Sequence, residues 1–341
     1  MQKQLKMNTW IILVVAAVIV VVGAMIWNSS KKSEQTTQTP QEQTTTPLKI
    51  GLNPWIGNGL YYVAKEKGFF AKEGVNVELV DFGDSATGRQ LLNSKNVDAV
   101  GGLTPESVVL LASAGADIKV IAATDTSEGA DGVIATASIK TLKDLKGKKV
   151  AMEVGSPSHL FLAYLLEKEG LTTKDLVIVD QPAPDAATSF FAGKVDAAVT
   201  WEPWLSQVKN RAGGHVIANS KDSPILPALL MVRGEIKNSR SADLAKALRA
   251  LYDARDYISA NQAASVSIIA KGFKITDKDV TDQLPTFRWL SLEDNYKTGA
   301  YSTKELLKAT ATLWYKLGIT PTNINTDAIV DYSILDSLRN K

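Results

Sequence analysis

Six carboxylates and three tryptophans stand where this chain could do chemistry. Asp84, Asp125, Glu128, Asp131, Glu153 and Glu202 lie in or beside short polar turns, and Trp55, Trp201 and Trp204 accompany them. An indole face next to a carboxylate is a pairing that holds an ammonium or amidine-like group, through the ring quadrupole and the opposite charge. Thr104-Pro105 and Ser156-Pro157, the latter followed by Ser158, each put a hydroxyl before a proline. That pattern marks a helix start, with a hydroxyl cap and with N–H groups beyond the proline that can receive an anion. No Lys or Arg occupies any of these turns, so a multiply charged anion is not the expected ligand. The candidate ligand contacts are Asn53, Trp55, Asp84, Ser85, Thr104, Asp131, Glu153, Ser156, Ser158, Trp201 and Glu202. Plainer roles stay open: Ser and Thr before proline also cap ordinary helices, and Trp201 with Trp204, three residues apart, can simply pack.

Signatures of catalysis are missing. With no cysteine there is no disulfide framework, thiolate zinc site, cysteine nucleophile or lipid-bearing cysteine. The two histidines, His159 and His215, match no zinc-ligand spacing with the carboxylates, so neither a metal nor a cofactor is expected. Gly155-Ser156-Pro157-Ser158-His159 lacks the closing glycine of a nucleophile elbow, Gly57-Asn58-Gly59 is a lone G-x-G, and no Walker lysine follows a glycine loop. Asp84 and Glu153 could do acid–base work across a cleft, but such acids more often cap helices or bind cations. No residue is assigned a catalytic role.

The elements that must position these turns are legible. After Pro47 the chain alternates short β-branched runs with helical stretches: LKIGLN, a helix through Tyr61–Phe70, VNVELVDF, a helix near Ala86–Asn93, and VDAVGG. A second series repeats the pattern at an offset of about 100 residues, with KKVAME, a helix through Leu160–Gly170, LVIVDQ, a helix near Ala186–Ala192, and VDAAVTW. Lys49-Ile50 matches Lys149-Val150, Val97-Asp98-Ala99 matches Val195-Asp196-Ala197, Asp84–Thr87 matches Asp185–Thr188, and Gly68 and Gly170 end equivalent helices. Alternation of this kind predicts parallel sheets with helices on their faces, here as two similar lobes with a cleft between them. KVIAATD and DGVIATAS form the outbound crossing and Pro227–Glu235 the return, a pair of connections able to act as a hinge. From about Ser241 onward the 3.6-residue apolar spacing predicts mostly helix, expected to pack on the first lobe.

Ahead of this body, Lys3 and Lys6 precede an unbroken apolar run from Trp10 to Trp27. A helix of that length spans about 27 Å, close to a bilayer core, with Trp at both interfaces. It reads as a retained anchor or as a signal segment cut near Val22-Gly23-Ala24, and either puts the body outside the cytoplasm. Residues 28–47, rich in Thr, Gln, Ser and Pro, read as a disordered tether. Expected divisions are therefore 1–27 for the membrane segment, 28–47 for the tether, 48–133 with 229–341 for the first lobe, and 134–228 for the second. Four of the 38 basic and two of the 36 acidic residues lie before residue 48, so the body is neutral and carries no footprint for nucleic acid.

Gly51–Trp55, Tyr61–Phe70, Val97-Asp98-Ala99, Leu145–Val150 and Val199–Trp204, in this order and spacing, resemble the nitrate/sulfonate/taurine-type substrate-binding proteins of ABC importers over nearly all of residues 48–290. The resemblance implies a two-lobed periplasmic-binding fold of the second type, closure of the lobes on a ligand, and delivery to a membrane permease driven by a cytoplasmic ATPase. It does not select the ligand. The cleft residues favour an aliphatic sulfonate such as taurine, with its anionic end on the helix starts and its amine near the acids and Trp. An aminopyrimidine thiamine precursor between Trp55 and Trp201, or nitrate, is the alternative. A pyrimidine-forming enzyme or an anchored ligand sensor is the reading of another class; the cysteine-rich motif of the pyrimidine-forming relatives is absent. A monomer suits delivery to a transporter.

Overall fold

A computed structural model describes residues 46–339 of the chain. The expected membrane segment at residues 10–27, and all of the expected tether except Thr46 and Pro47, lie outside the described residues. Those two are tied to the body by Arg240, whose guanidinium donates to the Thr46 carbonyl at 2.9 Å and the Pro47 carbonyl at 3.0 Å. Among the described residues no helix is long and apolar enough to cross a membrane.

The strands, in chain order, are β1 (Leu48–Leu52), β2 (Val77–Asp81), β3 (Ala99–Leu103), β4 (Ile118–Ser127), β5 (Asp131–Ala135), β6 (Lys149–Met152), β7 (Val177–Asp180), β8 (Ala197–Trp201), β9 (His215–Asn219), β10 (Pro227–Arg233) and β11 (Phe287–Trp289). They form two sheets, ordered β11-β4-β10-β3-β1-β2 and β7-β6-β8-β5-β9. Within each sheet the strands linked by helices pair in parallel, β2-β1-β3 and β7-β6-β8. The sheets are nonetheless mixed, because each admits one strand of the crossing chain antiparallel: β10 beside β3, and β5 beside β8. A strand arriving from the other sheet has no helical crossover to turn it round, so it enters in the opposite direction.

The duplication extends to individual hydrogen bonds. The Lys49 N–H donates to Asp98 Oδ2 at 3.0 Å and the Lys149 N–H to Asp196 Oδ2 at 2.9 Å, while Asp98 N–H and Asp196 N–H return to the Lys49 and Lys149 carbonyls. Gly68 and Gly170 both take the left-handed conformation, φ +73° and +72°, that ends their helices. The Asp84 and Asp185 segments differ: Asp84 is the N-cap of helix Ser85–Asn93, whereas Asp185 is the third residue of helix Ala183–Phe191, which starts after Pro182. Matching letters there do not mark matching positions.

Strand alternation divides the core into layers. Ile121 and Leu230 face helices Gly59–Glu66, Ser241–Ala260 and Gln262–Phe273, whereas Val120 and Met231 face the opposite layer with helices Pro105–Ser113 and Thr303–Leu317. That second layer continues without a break into Val133, Val150 and helix Pro157–Lys168 beside the other sheet. Helix Thr303–Leu317, expected to pack on the first lobe, lies against helix Pro105–Ser113 and also brings the Trp314 ring 4.9 Å from that of His159. The chain passes out between Ser127 and Asp131 and back between Asn219 and Pro227. The expected limits at 133/134 and 228/229 fall inside β5 and β10, each of which pairs along its length within one sheet. Ser220 ties the crossings together: its hydroxyl accepts from the Gly129 N–H at 2.8 Å and the Asp131 N–H at 3.2 Å and pairs with Ser127 Oγ at 2.6 Å.

Candidate ligand site

A narrow cavity of about 30 Å³ lies between the sheets, where strand ends from both meet the crossing segments. Asn53, Trp55, Thr104, Asp131 and Trp201 line it, joined by Gly102, Ser127 and Pro157. Asn53 and Trp55 follow β1, Thr104 follows β3, Trp201 ends β8, and Asp131 opens β5 at the crossing itself. Strand ends in open α/β sheets are the usual ligand positions, and here two sheets aim theirs at one space.

The first sheet's wall is held rigid. The Trp55 indole N–H donates to Asp125 Oδ1 at 2.7 Å, and the ring meets Phe287 edge-on. Asn53 Nδ2 donates to the Gly102 carbonyl at 3.1 Å, and Asn58 Nδ2 to Asn53 Oδ1 at 2.7 Å. Gly102 is left-handed, φ +82°, and a Cβ there would run into the Asn53 and Asn58 amides, so only glycine lets this wall close up.

Burial dominates the electrostatics. Asp131 is 5% exposed, and burial pushes its carboxyl up to about 7 against a hydrogen bond from Ser127, with Glu106, Asp125 and Glu202 adding like charge. Asp125 is also pushed up to about 7 by burial, although Trp55 and Thr124 donate to it. Glu106, fully buried, is raised by the same cause, and hydrogen bonds from Thr104 and Ser107 and the nearby Arg89 charge oppose the rise. Among the described residues none of these three acids has an ion-pair partner within 4 Å. A cationic group entering the cavity would therefore meet Asp131, which has no competing ion pair.

The two hydroxyl-proline helix starts differ. Neither Thr104 nor Ser156 caps its helix through its side chain, contrary to the expected hydroxyl caps. Thr104 donates instead to Glu106, which also accepts from the Ser107 hydroxyl at 2.9 Å, so a buried carboxylate already occupies the first turn of helix Pro105–Ser113. Ser156 Oγ donates to the Glu153 carbonyl at 2.7 Å, while Ser158 Oγ is buried without a hydrogen-bond partner. The N-terminus of helix Pro157–Lys168 thus keeps its positive end for something else. Trp201 Nε1, on the same side of the cavity, is likewise buried and unpartnered.

The other predicted contacts do not line the cavity. Asp84 accepts from the Thr87 N–H and hydroxyl as an N-cap. Glu202 accepts from the Ser206 N–H at 3.1 Å and hydroxyl at 2.7 Å. Ser85 is buried, and burial and the Asp84 charge push the Glu153 carboxyl up to about 7. Ser156 and Ser158 stand at the helix start just described, with Pro157 between them on the cavity wall. Sequence reasoning passed over Glu106 and Arg89, which lie on helices two residues past Thr104 and four past Ser85. An acid directly after Thr-Pro was the available sign for Glu106. Among the described residues no His, Asp and Glu cluster is arranged to hold a metal.

Comparison with known proteins places this architecture. Residues 57–265 match the family described as NMT1/THI5 like. A protein of Brucella abortus named as a binding protein is 27% identical over 256 residues, 74% of this chain and 79% of that one. The periplasmic aliphatic sulphonate binding protein SsuA of Escherichia coli shares the fold with TM-score 0.70 at 22% identity, over 84% of this chain and 92% of its own. The periplasmic nitrate-binding protein NrtA of Synechocystis does so with TM-score 0.71 at 19% identity, over 88% and 89%. The chain belongs to the NMT1/THI5-like family.

Proposed function

We propose that this chain is the extracytoplasmic solute-binding component of an ABC importer, closing two lobes around a small aliphatic sulfonate that carries an amine, of which taurine is the simplest. The observation that carries the ligand class is the polarity of the cavity. Asp131, buried and without an ion pair, lines it together with Trp201, its cross-strand neighbour on β8, whose N–H is unpartnered, and with the uncapped start of helix Pro157–Lys168. A zwitterion satisfies both ends, its amine on Asp131 beside Trp55 and its sulfonate on the N–H donors. The aliphatic sulphonate for which SsuA of Escherichia coli is named supports the anionic half of this assignment. The apolar run at residues 10–27 would hold the protein at the outer face of the membrane or direct its export, and a monomer would deliver ligand to the permease.

An aminopyrimidine remains the second reading, since Trp55 and Trp201 offer two indoles with Asp131 in one cavity. Titration calorimetry of the purified chain with taurine, ethanesulfonate, nitrate and 4-aminopyrimidine decides between them. Taurine binding more tightly than ethanesulfonate is the expected result. Binding of the pyrimidine alone would replace the assignment.

A further inference from the structure

We infer that Arg89 is a positioning residue that latches the two halves of the molecule together beside the ligand cavity, and this rests on the closure proposed above. Arg89 projects from helix Ser85–Asn93 of the first sheet, and its Nη1 donates to the Gly155 carbonyl at 2.8 Å, on the turn that follows β6 of the second sheet. A hydrogen bond with a charged donor therefore joins this turn to that helix. Charge-assisted bonds of this kind are roughly twice as strong as neutral ones.

Arg89 does not reach across as a loose side chain. Its Nη1 also donates to Ser107 Oγ at 3.1 Å, and that hydroxyl donates to Glu106, which takes the Thr104 hydroxyl as well. Thr104 lines the cavity. A continuous chain of bonds thus runs from the ligand wall through Glu106 and Ser107 to the guanidinium and on to Gly155. The acceptor is equally fixed: Gly155 is left-handed, φ +72°, its N–H donates to His159 Nδ1 at 3.1 Å, and the Val154 N–H donates to Asp180 Oδ1 at 2.9 Å. When the halves separate, Gly155 loses its donor, whereas the Arg89–Ser107–Glu106 unit stays whole within the first sheet. That asymmetry makes Arg89 a preformed catch and the Glu153–Gly155 turn the part that docks.

The chain has no cysteine, so Lys65→Cys with Lys174→Cys, exposed positions on the two halves, accept a fluorophore pair without background. In the labelled full chain, Arg89→Ala is expected to lengthen the ligand-free inter-label distance. With taurine as the probe it should raise the dissociation rate about ten-fold while changing the association rate less than two-fold, a split that a general loss of stability would not produce. Unchanged distances and rates in a folded Arg89→Ala protein would overturn the latch. If that variant does not fold, because Glu106 is left without its counter-charge, Arg89→Ala with Glu106→Gln removes the stranded charge and the same two outcomes apply. A wild-type protein that ignores taurine would dismiss the ligand assignment, and the ligand-free distances would still decide the latch.

Discussion

The Trp55 indole N–H and Asp125 Oδ1, 70 residues apart in the chain, meet at 2.7 Å, so a fully buried carboxylate fixes the angle at which the cavity's first aromatic wall stands. Burial costs the ionised form more than two hydrogen bonds return, and the carboxyl rises from 3.8 to about 7. An acid with a raised folded-state pKa binds its proton more tightly in the native state than in the unfolded one. Its contribution is therefore full at low pH and is lost as pH climbs through the window from about 4 to 7. Asp131 behaves alike, and Glu153 does so from 4.5 to about 7. Asp125→Asn keeps an acceptor for Trp55 and removes the titration. The expected outcome is a melting temperature of the ligand-free protein that falls less steeply between pH 5 and 8 than in wild type. Parallel curves for the two proteins would contradict it.

Gly57 lies against the same pair. A Cβ there would collide with Trp55 Nε1 and stand 2.6 Å from the Asp125 carboxyl. Gly57→Ala must push the indole off its partner, and overpacking of this kind costs about 1–3 kcal/mol. Denaturant unfolding is expected to show that loss, and tryptophan emission should shift as Trp55 moves. Wild-type stability in the alanine variant would mean that the wall relaxes freely.

How much of this was legible follows from the kind of signal each residue leaves. Lys49 with Asp98 and Lys149 with Asp196 could be read as a repeat because a strand and the turn before its neighbour carry the same bond in both halves. Trp55 and Trp201 could be placed because strand ends point at a cleft. Asp131 was legible as an acid near the crossing; its burial depends on β5 joining the second sheet antiparallel, which no local pattern announces. Asp84 and Glu202, equally acidic and equally near the strand ends, spend their oxygens on Thr87 and Ser206 instead. Arg89 was illegible for the complementary reason: within a helix, sequence spacing gives the face but not what stands opposite.

Trp201 offers both a ring and an unpartnered N–H to the cavity, and two substitutions separate them. Trp201→Ala removes both and is expected to weaken taurine binding by roughly 1–3 kcal/mol. Trp201→Phe keeps an aromatic face and loses the donor, at a cost of roughly 0.5–1.5 kcal/mol. Calorimetry on folded variants checks both values. Equal affinity in all three proteins would take Trp201 out of the site.

Glu106 bears most directly on ligand choice. Its carboxylate sits in the first turn of helix Pro105–Ser113, where a ligand anion would otherwise find free N–H groups, and it is fully buried beside the cavity-lining Thr104. A like charge at that distance in a low-dielectric site opposes any anion that approaches the first sheet, leaving the helix start at Pro157 to receive it. Glu106→Gln keeps an acceptor for Thr104 and Ser107 while removing the charge. Ethanesulfonate, which has no amine, should then gain about ten-fold in affinity, a shift of about 1.4 kcal/mol, whereas taurine, whose amine profits from the negative field, should gain less or lose. A change of the same size and sign for both ligands would show that the buried carboxylate shapes the wall without selecting what binds to it.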